Sequence, residues 1–88
     1  MKYIYTIHYC DQWKSNDSMR LQVVTSSVRK FIHELKTMLK SGDIEFNDDK
    51  EHGMERFKLV TTARLSPSSM CYEMNNLLDY AYCEVWED

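Results

Sequence analysis

Glycine and proline are nearly absent from this chain, with two Gly and one Pro in 88 residues. That scarcity excludes a flexible linker or low-complexity tract, and it leaves few places where a backbone could wrap a phosphate. Long apolar runs are missing too. The opening residues, Met1-Lys2-Tyr3-Ile4-Tyr5-Thr6, alternate polar with apolar and do not form the apolar block of a signal peptide. The expectation is a soluble cytoplasmic protein with no membrane partner. Cys10, Cys71 and Cys83 are an odd number at wide spacing, which suits reduced thiols and not a disulfide framework. Positive charge is lacking from Leu65 onward, where Glu73, Asp79, Glu84, Glu87 and Asp88 meet no Lys or Arg.

What is present is ordinary globular usage, 43% hydrophobic and 28% charged, with a net charge of −3. A chain this short buries only about 60 to 65% of its unfolded surface, so residues 1–88 are expected to form a single α+β domain around one core. Charge is divided along the chain. Residues 1–42 carry seven basic against three acidic side chains, and residues 43–88 four against eleven. That balance argues against a surface built throughout to displace phosphate counterions, and it leaves an acidic half free to meet a basic protein.

Residues 2–10 are dense in aromatic and β-branched types and predict a strand. Tyr3, Tyr5, Ile7 and Tyr9 share one face, with Ile4, Thr6, His8 and Cys10 on the other. Apolar groups on both faces place this strand inside the sheet. A polar loop, Asp11 to Ser18, carries one large aromatic, Trp13. Met19-Arg20-Leu21-Gln22-Val23 then alternates, which predicts a second strand with Met19, Leu21 and Val23 on one side.

After the hydroxyl caps Thr25-Ser26-Ser27, Val28, Phe31, Ile32, Leu35, Met38 and Leu39 recur at steps of three and four, and Gly42 stands where a left-handed stop belongs. Ile44 and Phe46 predict a short third strand, followed by a charged turn at residues 48–53. A fourth strand from Glu55 to Thr61, with Phe57 and Leu59 inward, is preferred over a helix through 50–62. Ser66-Pro67 starts a helix with Met70, Cys71, Met74, Leu77, Leu78 and Ala81 on one stripe; continuation of that helix through Val85 is the competing reading, but Tyr80, Tyr82, Val85 and Trp86 favour extended structure, and a closing strand at 80–86 is preferred. The order ββαββα(β) implies an α+β fold, with a mainly antiparallel sheet of four or five strands and two helices on one face.

Chemistry has little to build on. The chain contains no Cys-x-x-Cys or His-x-x-x-His pair, and only His8 and Cys10 share a strand face, so no metal or other cofactor is expected. Asp43-x-Glu45-x-Asn47-x-Asp49 alternates oxygens as a calcium loop does, yet Asp48 and Met54 stand where such a loop needs Gly and Glu. A phosphate loop, a nucleophile elbow and a paired-carboxylate motif are all missing, and a chain this small has limited room for a pocket of the ~300 Å³ that substrates use. The expectation is a protein that is not an enzyme.

The expected function is therefore a non-catalytic protein-binding module whose partner has a basic surface. Its contact residues would be Trp13 and Lys14 in the loop, with Asp48, Asp49, Glu51, Glu73, Asp79, Glu84 and Glu87 from the acidic half. In size and charge, though in no motif, the chain resembles phage- or mobile-element proteins that inhibit host defence nucleases, anti-CRISPR inhibitors among them. That resemblance implies inhibition through an acidic surface. The alternative is a single-stranded nucleic-acid-binding module, in which Trp13 joins Lys14, Arg20, Arg29 and Lys30 in a basic patch.

Overall fold

The aromatic and β-branched run near the start forms β1 (Tyr3–Tyr9), the central strand of a three-stranded antiparallel sheet. Its neighbours are β2 (Arg20–Thr25) and β5 (Ala81–Glu87). This computed structural model describes residues 2–87, so Asp88 of the acidic run lies outside the described residues. Between β2 and β5 the chain forms α1 (Val28–Ser41), β3 (Glu45–Phe46), α2 (Lys50–Thr62), α3 (Pro67–Leu77) and β4 (Leu78–Asp79). The architecture is α+β, with three helices, the three-stranded sheet and a two-stranded pairing of β3 with β4.

Local signals explain most of these elements. The Ser27 hydroxyl accepts the Lys30 N–H, and α1 ends at Gly42, whose φ of 88° is the left-handed conformation that lacks a steric cost only for glycine. Phe31, Leu35 and Met38 form its buried stripe. The Ser66 hydroxyl caps α3, and Pro67 occupies its first turn, where a missing N–H costs nothing. Lys14 and Asn47 reach the carbonyls at the other end of α3. The Lys14 ammonium donates to Asn75 O (3.0 Å) and Leu78 O (2.7 Å), while Asn47 donates from its backbone to Leu77 O and from its side chain to Asn76 O.

The predicted fourth strand is instead part of α2. The Asp49 carboxylate accepts the His52 N–H and starts the helix within the residues expected to be a turn. Gly53, Phe57 and Val60 then recur at helical spacing as its buried residues, while Leu59 is 64% exposed and does not face inward. Gly53 is needed for space. A Cβ there would lie 2.7 Å from the Cβ of Phe46, whose ring meets Phe57 edge-on at 6.2 Å. The fold thus has three helices, not two, and its main sheet has three strands, not four or five.

One cluster of buried side chains joins Tyr5, Ile7, Ala81 and Cys83 of the sheet to Phe31, Leu35, Met38, Phe57, Met70, Met74 and Leu77 of the helices. Tyr5 stacks on Phe31 with ring centroids 5.0 Å apart. Tyr3, Tyr9, Val23 and Val85 border the same cluster, so the helices cover a single side of the sheet, as the sequence predicts. Asn75 closes one of the sheet's edges. Its side chain accepts from Cys83 N–H (2.7 Å) and donates to Cys83 O (2.9 Å), so it takes the place of a further strand beside β5.

Candidate functional site

Residues directly opposite each other in an antiparallel ladder project to the same face, so the register defines the side of the sheet that the helices leave bare. Ile4 pairs with Trp86, Thr6 with Val24 and Glu84, and His8 with Leu21 and Tyr82. None of these eight residues belongs to the core cluster. Leu21, Val24 and Trp86 are 55%, 56% and 57% exposed. Three strands of up to seven residues span roughly 14 by 23 Å at ordinary strand spacing.

Leu21 reaches this face through a bulge. Ile7 pairs with Val23 but His8 pairs with Leu21, which leaves Gln22 as an extra residue on β2. Strict alternation would have placed Leu21 beside Val23 above the core. The expected grouping of Met19, Leu21 and Val23 on one side therefore fails at Gln22.

Two polar atoms at the centre of the face lack partners. Thr6 is 7% exposed, and both its hydroxyl and His8 Nδ1 are buried without a hydrogen bond among the described residues. Each such group costs on the order of 1 to 3 kcal/mol. The His8 and Tyr82 rings lie 6.3 Å apart at a tilt of 48°. Burial, followed by the nearby Glu84 carboxylate, pushes the Tyr82 phenol above its ordinary range. None of the eight is Lys or Arg, and Glu84 is their one formal charge at neutral pH.

The residues singled out in the sequence are scattered over several elements. Trp13 is 82% exposed. It lies in the loop beyond the end of β1 where Tyr9 pairs with Ala81, whereas Trp86 pairs with Ile4 at the opposite end. The Asp11 carboxylate holds that loop by accepting from Trp13 N–H, Ser15 N–H and the Ser15 hydroxyl. The Ser15 bonds are the main reason its pKa falls. Lys14 is occupied by the end of α3, as described above.

Asp48, Asp49 and Glu51 stand at the start of α2, Glu73 on α3, Asp79 on β4, and Glu84 and Glu87 on β5. Asp49 is the helix cap, and Glu73 lies 3.6 Å from Arg56. Asp48, Asp49 and His52 place their donor atoms within 4.8 Å of one another, but all three are exposed, and Asp49 already holds the His52 backbone and ring. Two of the four residues that alternate as in a calcium loop already use their side-chain oxygens, Asp43 and Asp49. Asp43 accepts from Tyr9 and Ser41, and the Asn47 side chain is bound to Asn76.

The three cysteines are buried and free. Burial pushes the Cys71 thiol up to about 11 and moves Cys10 and Cys83 in the same direction, so these groups are protonated at neutral pH and poor nucleophiles. No hydrogen bond joins His8 to Cys10 among the described residues. A cleft of about 550 Å³ opens between the last turns of α1, the connection through Ile44 and Phe46, and the first turns of α2.

The bare face was missed in the sequence as a site, although its parts were visible. Tyr82 and Trp86 alternate with Cys83 and Val85, which line the core, and helices confined to one side leave the other side of a sheet uncovered. Among the described residues, no helix is long and apolar enough to cross a membrane. Compared with protein-family models, with curated proteins and with solved structures, the chain gives no match in any of the three.

Proposed function

We propose that this chain is a non-catalytic protein-binding module that docks through the helix-free face of its main sheet. The observation that carries this reading is the exposure of Leu21, Val24 and Trp86 on one uncovered face, beside Ile4 and Tyr82. Burying what remains exposed of those three side chains contributes roughly 2 to 5 kcal/mol toward association, before the entropic cost of docking. The partner is expected to be a protein with an apolar patch. Aromatic side chains on a sheet also suit stacked bases, but a face with Glu84 and no Lys or Arg lacks the charge that holds a phosphate backbone.

The test is affinity capture with the intact chain and with a triple variant, Leu21→Ser, Val24→Ser and Trp86→Ser. These positions are more than half exposed, so the variant keeps most of its stability. Loss of the captured protein with the fold retained supports the docking face. Capture that is unchanged in the variant, or recovery of nucleic acid alone, refutes it.

A second reading is favoured by the free carboxylates. Glu51, Asp79, Glu84 and Glu87 have no side-chain hydrogen bond or ion pair among the described residues, which suits inhibition of a basic partner such as a nuclease. Exchanging these four for Gln and Asn would then weaken capture far more than the triple variant does, with a strong dependence on salt.

A further inference from the structure

We infer that the cleft between α1 and α2 is a binding site for a small amphipathic anion, with an apolar body and one acidic head group. Its volume of about 550 Å³ falls within the usual range of small-molecule pockets. Leu39, Ile44, Phe46, Met54 and Phe57 supply an apolar lining. Gly53 holds this wall in place, because Phe46 can lie across α2 only where no Cβ intervenes.

The rim gives the ligand its sign. Lys36, Lys40 and Lys50 line the opening together with Glu45 and Asp48, an excess of one positive charge. Lys36 and Lys40 are four residues apart on α1 and so project from the same flank of the helix. No ion pair or hydrogen bond engages any of the three ammonium groups among the described residues. Of the two carboxylates, Asp48 accepts the Asp49 N–H, while Glu45, like the lysines, has no side-chain partner among the described residues. An apolar tail would displace water from the lining, while a carboxylate at the mouth would meet cations that have no other partner. The site is separate from the sheet face, so failure of either leaves the other standing.

Titration of the ¹⁵N-labelled chain with decanoate, decanol and decyltrimethylammonium, each below its micelle concentration, tests the inference. Decanoate is expected to shift the amides of Leu39, Ile44, Phe46 and Met54 saturably, with decanol weaker and the cation weakest. Lys36→Gln combined with Lys40→Gln alters only exposed positions and is expected to weaken decanoate about three- to tenfold, leaving decanol unchanged. Equal binding of the three amphiphiles, shifts confined to the sheet face, or no saturable shift would overturn it.

Discussion

Asn75→Ala is the substitution whose consequence the structure specifies most closely. The Asn75 amide makes two hydrogen bonds to the backbone of Cys83, at 2.7 and 2.9 Å, beside a residue that is 2% exposed. Alanine removes both and leaves an N–H and a carbonyl of β5 without partners. Asn75 is half-buried, so water can enter and recover part of the loss. A net cost of about 2 to 3 kcal/mol follows from two lost bonds with partial rescue. For a domain of this size that corresponds to a fall in melting temperature of roughly 10 to 20 °C. Thermal and urea unfolding measure the loss, and amide hydrogen exchange at Cys83 locates it. The exposed neighbour Asn76 is the control, since Asn76→Ala removes no side-chain bond and is expected to stay within about 0.5 kcal/mol. A loss for Asn75→Ala below about 0.5 kcal/mol, with Cys83 exchange unchanged, would refute the role assigned to this side chain.

Gly53→Ala forces Phe46 off α2 and is expected to destabilise the fold by about 1 to 3 kcal/mol, read as a lower urea midpoint. Phe57→Ala is expected to cost about 3 to 5 kcal/mol while Leu59→Lys costs under about 0.5, a contrast that a strand with both residues inward would not give. The His52 ring, 2.6 Å from Asp49, titrates above its ordinary 6.5 because of that carboxylate, and Asp49→Asn should return the NMR midpoint toward 6.5. The His52 backbone N–H, followed by its ring, in turn holds Asp49 below its ordinary 3.8. The support that the pair gives to α2 is therefore full between those two values. It fades as pH rises through the folded His52 value, and again as pH falls through the folded Asp49 value.

Elements with strong local signals were legible in the sequence. β1, α1 and the Ser66-Pro67 start of α3 follow from residue type, periodicity and caps, whereas the stripe read on through Leu78 and Ala81 stops at Leu77, and those two residues lie on β4 and β5. The second helix was obscured because Met54 and Leu59 lie on its outer side, and because its inward residues include a glycine whose role depends on Phe46. The bulge at Gln22 was equally hidden, since the apolar alternation from Met19 to Val23 reads as an unbroken strand. Lys14 looked like a free loop cation, yet its ammonium is used by carbonyls 61 and 64 residues away, a relation that only the fold creates. The exposure of Trp13 was left open by the sequence and is settled by the structure. The bare face depends on three strands together, so no single segment announces it.

Site-specific photocrosslinking in cells distinguishes docking through the sheet face from docking through the helical side. A photoreactive phenylalanine analogue at Val24 samples the bare face, and the same group at exposed Tyr72 on α3 samples the helical side. A discrete protein adduct is expected from position 24 and none from position 72. Adducts from position 72 alone, or the same adducts from both, would contradict docking through the sheet face.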